Sequence, residues 1–195
     1  MKIGLLGGSF NPIHLGHLQV AENVLKKTDL QEIWFVPSGN HPLKKRSDFL
    51  DVQQRILLIQ KAIEDFPDYK LCTLDAENDK PSYTSELVKK IKKIYPKEQF
   101  YFIAGYDIVA ELPLWNEYEW LLENLEFIII NRPNIDKSEW KNLGYIHKLK
   151  FIEMPPNNVS SSLIRDRISQ KKSVQDLVPK KIIKDIERLY TEWVS

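Results

Sequence analysis

The chain has 195 residues, of which 43% are hydrophobic and 28% charged, and its formal net charge is +1. This composition is typical of a water-soluble globular protein, and the length predicts a single domain over residues 1–195. The near balance of charge argues against a long nucleic-acid footprint or a polybasic membrane surface, so we expect neither nucleic acid nor a membrane as a partner.

The compartment and assembly follow from the same features. No apolar run approaches the length of a membrane span, and we expect no secretory leader. The cytoplasm is therefore the expected location, and the lone Cys72 is interpreted as a buried, reduced thiol. The oligomeric state stays open, with a homo-oligomer as one option.

The first seventeen residues combine a strand, a glycine turn and the start of a helix. Residues 2–6 form a short apolar run that ends at Gly7 and Gly8, which predicts a buried strand. From Ile13 onward, apolar residues recur at helical spacing. A helix start leaves amide N–H groups unpaired and carries partial positive charge, which suits a phosphate group.

His14 and His17 share one face of this first helical turn. Two imidazoles beside free amides indicate a donor-rich pocket for polyphosphate. Such a pair can also bind a metal, but no cysteine or carboxylate cluster accompanies it, so we predict no protein-held metal. The glycine spacing matches neither the dinucleotide-binding fingerprint nor the P-loop, which argues against both of those classes.

Further strands and helices alternate along the chain. Strands are predicted at residues 32–36, 69–74, 99–104, 126–130 and 151–154. Helices are predicted at residues 51–63 and 179–193, and two more begin near Thr84 and Ser161. The last helix is interpreted as purely structural. This alternation predicts an α/β fold with a Rossmann-like parallel sheet and helices on both faces.

Polar residues follow each predicted strand. Gly105 and Asp107 follow the fourth strand, Arg132 the fifth, and a serine-rich helix start with Arg165 the sixth. Because ligands of parallel sheets bind beyond the carboxyl ends of the strands, these stretches should converge on one rim. Trp115 follows a proline in a polar loop and starts no clear apolar face, unlike an ordinary core tryptophan.

The stretch from Gly7 to His17 resembles the first motif of the nucleotidyltransferase superfamily with the H-x-G-H signature. Six motifs in order, from Ile3 to about Tyr190, make the chain most similar to the bacterial nicotinate-nucleotide adenylyltransferases. The resemblance implies a nucleotidyltransferase-type fold. It also implies a function in NAD biosynthesis: direct in-line transfer of AMP from ATP to nicotinate mononucleotide, giving nicotinate adenine dinucleotide and pyrophosphate. Mg²⁺ is expected to arrive with ATP.

The resemblance also assigns residues. The expected catalytic residues are His14, His17 and Arg165. The expected ATP-binding residues are Gly8, Ser9, Phe10, His14, His17, Gly105, Asp107, Ser161, Ser162 and Arg165. The expected residues for the nicotinate nucleotide are Lys44, Tyr83, Thr84, Trp115 and Arg132. In this reading Trp115 stacks on the pyridine ring, and Arg165 with the start of its helix holds the β and γ phosphates.

Some positions depart from the family pattern or carry a second interpretation. Asn11 stands where the family usually has Asp, Leu43 where it has His, and His41 where it has Pro. Lys44 matches the family, although a basic cluster in a polar loop can also be simply solvated. Arg132 can equally be a structural arginine. His147 has no sequence partners and is predicted to be a surface residue.

Two other functions remain open at this point. A sister adenylyltransferase acting on nicotinamide mononucleotide or phosphopantetheine would share the first motif. A non-catalytic nucleotide-binding module is the alternative from a different class. Such a module would more naturally lack His17 or Arg165, and both residues are present.

Overall fold

The computed structural model describes residues 1–39, 50–76, 83–131, 140 and 143–194. The predictions for Lys44 with its neighbours His41 and Leu43, and for Arg132, concern residues outside these ranges. Within these ranges, strands and helices follow one another along the chain, and the last two α-helices come after the last strand.

One parallel sheet forms the centre of the described structure. Its strands are β1 (Lys2–Gly8), β2 (Glu32–Pro37), β3 (Tyr69–Leu71), β4 (Gln99–Gly105), β5 (Glu126–Asn131) and β6 (Leu149–Glu153). They lie in the order β3-β2-β1-β4-β5-β6, and each neighbouring pair is parallel. The central β1 aligns Ile3 with Glu32 of β2 and with Phe100 of β4. This order confirms the predicted Rossmann-like sheet.

Helices cover both faces of the sheet, as predicted. They are α1 (Leu15–Lys27), α2 (Val52–Ile63), α3 (Thr84–Ile94), α4 (Ile108–Glu111), α5 (Tyr118–Asn124), α6 (Ser161–Ser169) and α7 (Ile183–Val194). One apolar layer contains residues of α1, α2, α6 and α7. The other contains residues of α3, α4 and α5.

The strands are short apolar runs because both of their faces are buried. In β1, Leu5 belongs to the α3 layer and Leu6 to the α1 layer. In β5, Phe127 and Ile128 divide between the same two layers. Side chains alternate across a strand, so a strand covered on both sides must be apolar at nearly every position.

The structure differs from the sequence prediction at several element boundaries. β3 ends at Leu71 rather than near residue 74, because its neighbour β2 ends at Pro37, which has no amide hydrogen to extend the ladder. The segment around Trp115, predicted as a loop, contains α4, a 3-10 turn at Leu112–Leu114 and α5. These helices are too short to show a clear helical period, although Val109, Leu112 and Leu121 are buried.

The direction of the chain through the sheet reverses between β1 and β4. From β1 the sheet grows outward through β2 to β3, and from β4 it grows the other way to β6. Such a switch point opens a crevice at the carboxyl ends of the strands. Among the described helices, none is long and apolar enough to cross a membrane.

Candidate active site

A cavity of about 290 Å³ opens at the switch point, at the carboxyl ends of β1 and β4. It is lined by residues that end strands or follow them. These include Gly7, His14, Gly16, His17, Gly105, Asp107, Ile130, Met154, Pro155 and Asn157. The cavity thus brings together four of the predicted site residues: the two histidines, Gly105 and Asp107.

The loop between β1 and α1 has an unusual backbone. Phe10 has a φ of 45°, in the left-handed region that bulky residues rarely adopt. Its side chain is 1% exposed and packs against His17 and Phe35, with ring centroids 4.8 and 5.8 Å away. The predicted ligand contact of Phe10 is therefore restricted to its backbone, because its ring belongs to the core.

Arg55 stabilises this loop through hydrogen bonds, a role that was not predicted from the sequence. Its guanidinium donates to the carbonyl of Ser9 at 2.7 Å, to that of Ser38 at 2.9 Å and to that of Leu50 at 3.2 Å. Arg55 is buried on α2. The sequence could have indicated that Arg55 is buried, because it lies four residues before Ile59 on the inner face of an amphipathic helix.

His14 and His17 stack on each other at the start of α1. Their ring centroids lie 3.7 Å apart with an interplanar angle of 28°. The backbone N–H of His14 donates to Nδ1 of His17 at 3.2 Å. His14 is only 6% exposed, and its own buried Nδ1 has no hydrogen-bond partner within the described residues.

Both imidazoles are neutral at pH 7. Burial lowers the pKa of His14 to about 4. Burial, and next the neighbouring His14, lowers the pKa of His17 well below its ordinary value. Since Nδ1 of neutral His17 accepts a hydrogen bond, its proton is on Nε2, which makes that atom a donor.

Two glycines give the cavity its shape. A Cβ on Gly16 would lie 2.9 Å from Nδ1 of His14, and a Cβ on Gly105 would lie 2.3 Å from Oδ1 of Asp107. Any other residue at either position would push against a polar group that lines the cavity. These glycines therefore permit the close approach of backbone and side chains at the site.

The start of α6 packs directly onto the loop after β1. Ser160 caps the helix by accepting a hydrogen bond from the amide of Leu163 at 3.1 Å. Ser161 Oγ donates to the carbonyl of Pro12 at 2.9 Å. This contact places the start of α6 beside the start of α1. Both helix starts carry partial positive charge and therefore favour an anion.

Arg165, one turn into α6, contacts the same loop. Its Nη1 donates to the carbonyl of Asn11 at 2.8 Å, and its Nη2 donates to Ser162 Oγ at 3.2 Å. The structure thus brings Arg165, Ser161 and Ser162 to the β1–α1 loop, although none of the three lines the cavity directly.

A second cluster lies on the α3 side of the sheet. The Trp115 ring meets Phe102 edge-on at 5.7 Å and Phe127 at 6.5 Å. The tip of Phe102 is 3.2 Å from where a Cβ on Gly7 would stand, so this cluster adjoins the end of β1. Trp115 itself does not line the cavity.

The start of α3 is joined to the Trp115 segment by a hydrogen bond. Buried Ser85 donates to Oδ1 of Asn116 at 2.9 Å. Tyr83 occupies the N-cap position of α3 and is exposed, and Thr84 is its first residue. The structure therefore groups Tyr83 and Thr84 with the Trp115 segment beside the cavity and not within it.

Sequence reasoning missed Asn157, which follows β6 and lines the cavity. Its Nδ2 pairs with Gln19 of α1, and its Oδ1 accepts from the amide of Val159 at 2.8 Å. The available signal was a polar residue after a double proline at the carboxyl end of a strand. His147 is exposed, as predicted.

Comparisons with known proteins agree with this architecture. The cytidylyltransferase-like family model matches residues 5–167. The nicotinate-nucleotide adenylyltransferase of Bacillus subtilis is 37% identical over 186 residues, covering 95% of each chain. A probable nicotinate-nucleotide adenylyltransferase of Bacillus pumilus is 39% identical over 181 residues, covering 93% of each chain.

Solved structures are also similar. The nicotinic acid mononucleotide adenylyltransferase of Plasmodium falciparum complexed with NaAD is 25% identical, with a TM-score of 0.74 and 97% of each chain covered. The same enzyme complexed with APC gives a TM-score of 0.73 over 97% of each chain. By sequence and by fold, this chain belongs to the nicotinate-nucleotide adenylyltransferases, a group of nucleotidyltransferase enzymes within the cytidylyltransferase-like family.

Proposed function

We propose that this enzyme transfers AMP from ATP to nicotinate mononucleotide, giving nicotinate adenine dinucleotide and pyrophosphate in NAD biosynthesis. Family membership supports the reaction class. The observation that carries the proposal is the pair of neutral imidazoles, His14 and His17, that lines the switch-point cavity at the start of α1.

The β1–α1 loop and the start of α6 would hold the triphosphate. His14 and His17 contact its phosphates, with His17 nearest the reacting α-phosphorus. Arg165 and the α6 start, with Ser161 and Ser162, hold the β and γ phosphates. Two helix N-termini and a guanidinium meet at this loop, and all of them favour negative charge.

Five further residues complete the proposed ATP site. Gly8, Ser9 and Phe10 contribute through the backbone of the β1–α1 loop. Gly105 and Asp107 line the nucleotide site at the end of β4. Gly105 is suited to this position because it leaves room for the Asp107 carboxylate.

The chemical step is a direct displacement. An oxygen of the mononucleotide phosphate forms a bond to the α-phosphorus of ATP. The bond from that phosphorus to the oxygen bridging the β-phosphorus breaks, and pyrophosphate leaves. The attacking oxygen is already ionised near pH 7, so the protein needs no general base and acts by positioning reactants and stabilising charge. The Nε2–H of His17 is suited to donate to the charge that develops on the transferred phosphoryl group.

A divalent cation, which this family generally uses, fits a position on the ATP phosphates. No group of three histidine, cysteine or acidic residues converges in the described ranges of the chain. The groups around the β1–α1 loop are instead imidazole, amide and guanidinium donors, which bind phosphate oxygens. We propose that Mg²⁺ arrives bound to ATP and, when present, neutralises part of the phosphate charge.

The nicotinate end of the acceptor would lie against the second cluster. Trp115 stacks on the pyridine ring, and the α3 start at Tyr83 and Thr84 receives the carboxylate, because a helix N-terminus favours an anion. Lys44 and Arg132, outside the described residues, are proposed to contact the mononucleotide as cations. We propose the cytoplasm as the location, with small molecules as the partners and with no role for nucleic acid or a membrane.

A pyrophosphate-release assay over several acceptors tests this function. Wild-type enzyme with Mg-ATP should release pyrophosphate with nicotinate mononucleotide, and chromatography should identify nicotinate adenine dinucleotide as the product. Reactions with phosphopantetheine, or with no acceptor, serve as controls. Turnover only with phosphopantetheine would assign a sister activity, and ATP binding without turnover on any acceptor would indicate a non-catalytic module.

A further inference from the structure

Tyr190 lies on α7, far in sequence from the cavity residues, yet its side chain reaches the β1–α1 loop. Its side chain is 0% exposed and packs in the apolar layer with α1, α2 and α6. Its hydroxyl donates to Oδ1 of Asn11 at 2.6 Å. A phenylalanine would fill the same apolar space, so the hydroxyl needs a reason other than packing.

Asn11 converts this contact into a constraint on the loop. Asn11 is 1% exposed, and its Oδ1 also accepts from the backbone N–H of Leu50, just before α2, at 3.1 Å. The side chain of Asn11 is thus held at once by α7 and by the chain that enters α2. Burial raises the pKa of the Tyr190 hydroxyl, so it remains a protonated donor at ordinary pH.

The backbone carbonyl of the same residue, Asn11, orients Arg165. Arg165 Nη1 donates to the Asn11 carbonyl at 2.8 Å, so a displacement of Asn11 would also displace the guanidinium. The preceding residue, Phe10, is in the left-handed region, with a φ of 45°. Strained backbone of this kind persists only where surrounding contacts fix it. The Tyr190–Asn11 contact is one such contact.

We infer that Tyr190 is a positioning residue for ATP: through Asn11 it fixes the β1–α1 loop and the guanidinium of Arg165. From the sequence, the last helix is interpreted as purely structural. In this inference α7 also supports the phosphate site. This inference rests on the proposed function, in which that loop and Arg165 bind the triphosphate.

The test compares Tyr190→Phe with Ile186→Val, a buried residue of the same helix and layer. Tyr190→Phe should lower kcat/KM for ATP about three- to tenfold, the effect of one net hydrogen bond, and leave the KM for nicotinate mononucleotide unchanged. Ile186→Val should lower the melting temperature without this ATP-specific change. Equal ATP kinetics in both variants, or an equal loss for both substrates, would overturn the inference.

A double variant shows whether Tyr190 acts through Asn11. If it does, adding Tyr190→Phe to Asn11→Ala should cost little more in kcat/KM for ATP than Asn11→Ala alone, because the contact is already lost. Fully multiplicative losses would contradict the proposed route. Calorimetric ATP binding by wild type, Tyr190→Phe and Ile186→Val decides the inference independently of the acceptor. If nicotinate mononucleotide gives no turnover, the proposed function fails, but weaker ATP binding by Tyr190→Phe alone still supports the role of Tyr190.

Discussion

At the scale of single residues, the proposed site contains two histidines whose pKa values are lowered by burial and, for His17, also by the neighbouring His14. A neutral imidazole offers one donor and one acceptor, whereas a charged one offers two donors and attracts phosphate more strongly but costs more to bury. The backbone N–H of His14 donates to Nδ1 of His17, so the Nε2–H of His17 remains available to a ligand. His14 retains a buried nitrogen without a partner in the described chain.

Replacement of His17 tests the donor role. Removing one preorganised donor to a transition state costs about 10²–10³ in rate, so His17→Ala should lower kcat by that factor while ATP still binds. The measurement is steady-state kinetics together with calorimetric ATP binding. His147→Ala, at an exposed histidine, is the matched control and should keep the wild-type kcat. Wild-type kcat in His17→Ala would refute the assignment.

The depressed pKa of His14 predicts how stability depends on pH. Its pKa in the folded protein is about 4, below the unfolded value of 6.5, so the unfolded state binds more protons between these values. Stability is therefore full above pH 6.5 and is lost as the pH falls toward 4. From pH 7 to pH 5 this one group should remove about 2 kcal/mol of the free energy of unfolding.

Urea unfolding of wild type and His14→Asn at pH 7 and pH 5 measures this loss. The wild type should lose about 2 kcal/mol more than the variant, because only the wild type must protonate His14 on unfolding. Carboxylates that titrate in the same range are common to both proteins and cancel in the difference. An equal loss in the two proteins would contradict a buried neutral His14.

At the scale of elements, the proposed site has two halves, formed by three helix starts and by the 3-10 turn that precedes Trp115. α1 and α6 meet at the β1–α1 loop, while α3 is joined to the Trp115 segment through Ser85 and Asn116. The tip of Phe102, which lies close to Gly7, connects the second half to the first. The geometry suits a ligand with a polyphosphate at one end and a flat ring at the other.

The Trp115 ring should contribute to acceptor binding and not to ATP binding. Base–aromatic stacking is worth about 1–3 kcal/mol, so Trp115→Leu should raise the KM for nicotinate mononucleotide about 5- to 150-fold with little change for ATP. Trp115→Phe, which keeps an aromatic face, should fall between. Trp120→Phe on α5 is the control for general destabilisation, and steady-state kinetics with each substrate varied is the measurement. A matching rise in the KM for ATP would argue for a merely structural tryptophan.

Elements with a strong local signal could be predicted from sequence, and the others could not. β1, β2, β4 and β5 are apolar runs bounded by glycine, proline or polar residues, and the serines before Leu163 mark the start of α6. α4 and α5 have only four and seven residues, too few to show a helical period. Their positions are set by packing of Val109 and Leu121 against the sheet.

At the scale of the whole molecule, the parallel sheet gathers motifs that are far apart in sequence. The convergence of His14, His17 and Asp107 could be expected from strand–helix alternation. The strand order that places the switch point between β1 and β4 could not. The contacts of Arg55 with Ser9 and of Tyr190 with Asn11 could not, because they join residues 46 and 179 positions apart. No local pattern encodes such pairs.

The whole arrangement also predicts which pyridine nucleotide is used. A carboxylate only accepts hydrogen bonds and gains from a helix start, whereas a carboxamide also needs an acceptor for its N–H₂ group. The α3 start at Tyr83 and Thr84 supplies donors, and Glu86 in the same turn is exposed. Trp115 would stack on either ring, so the choice between them depends on the helix start.

Steady-state kinetics with nicotinate and nicotinamide mononucleotides, each at saturating Mg-ATP, test this account most directly. Because a site built of donors leaves the amide N–H₂ unpaired, kcat/KM should favour the acid by about 10²-fold or more. Comparable kcat/KM values for the two mononucleotides would identify an enzyme of dual specificity and contradict the account.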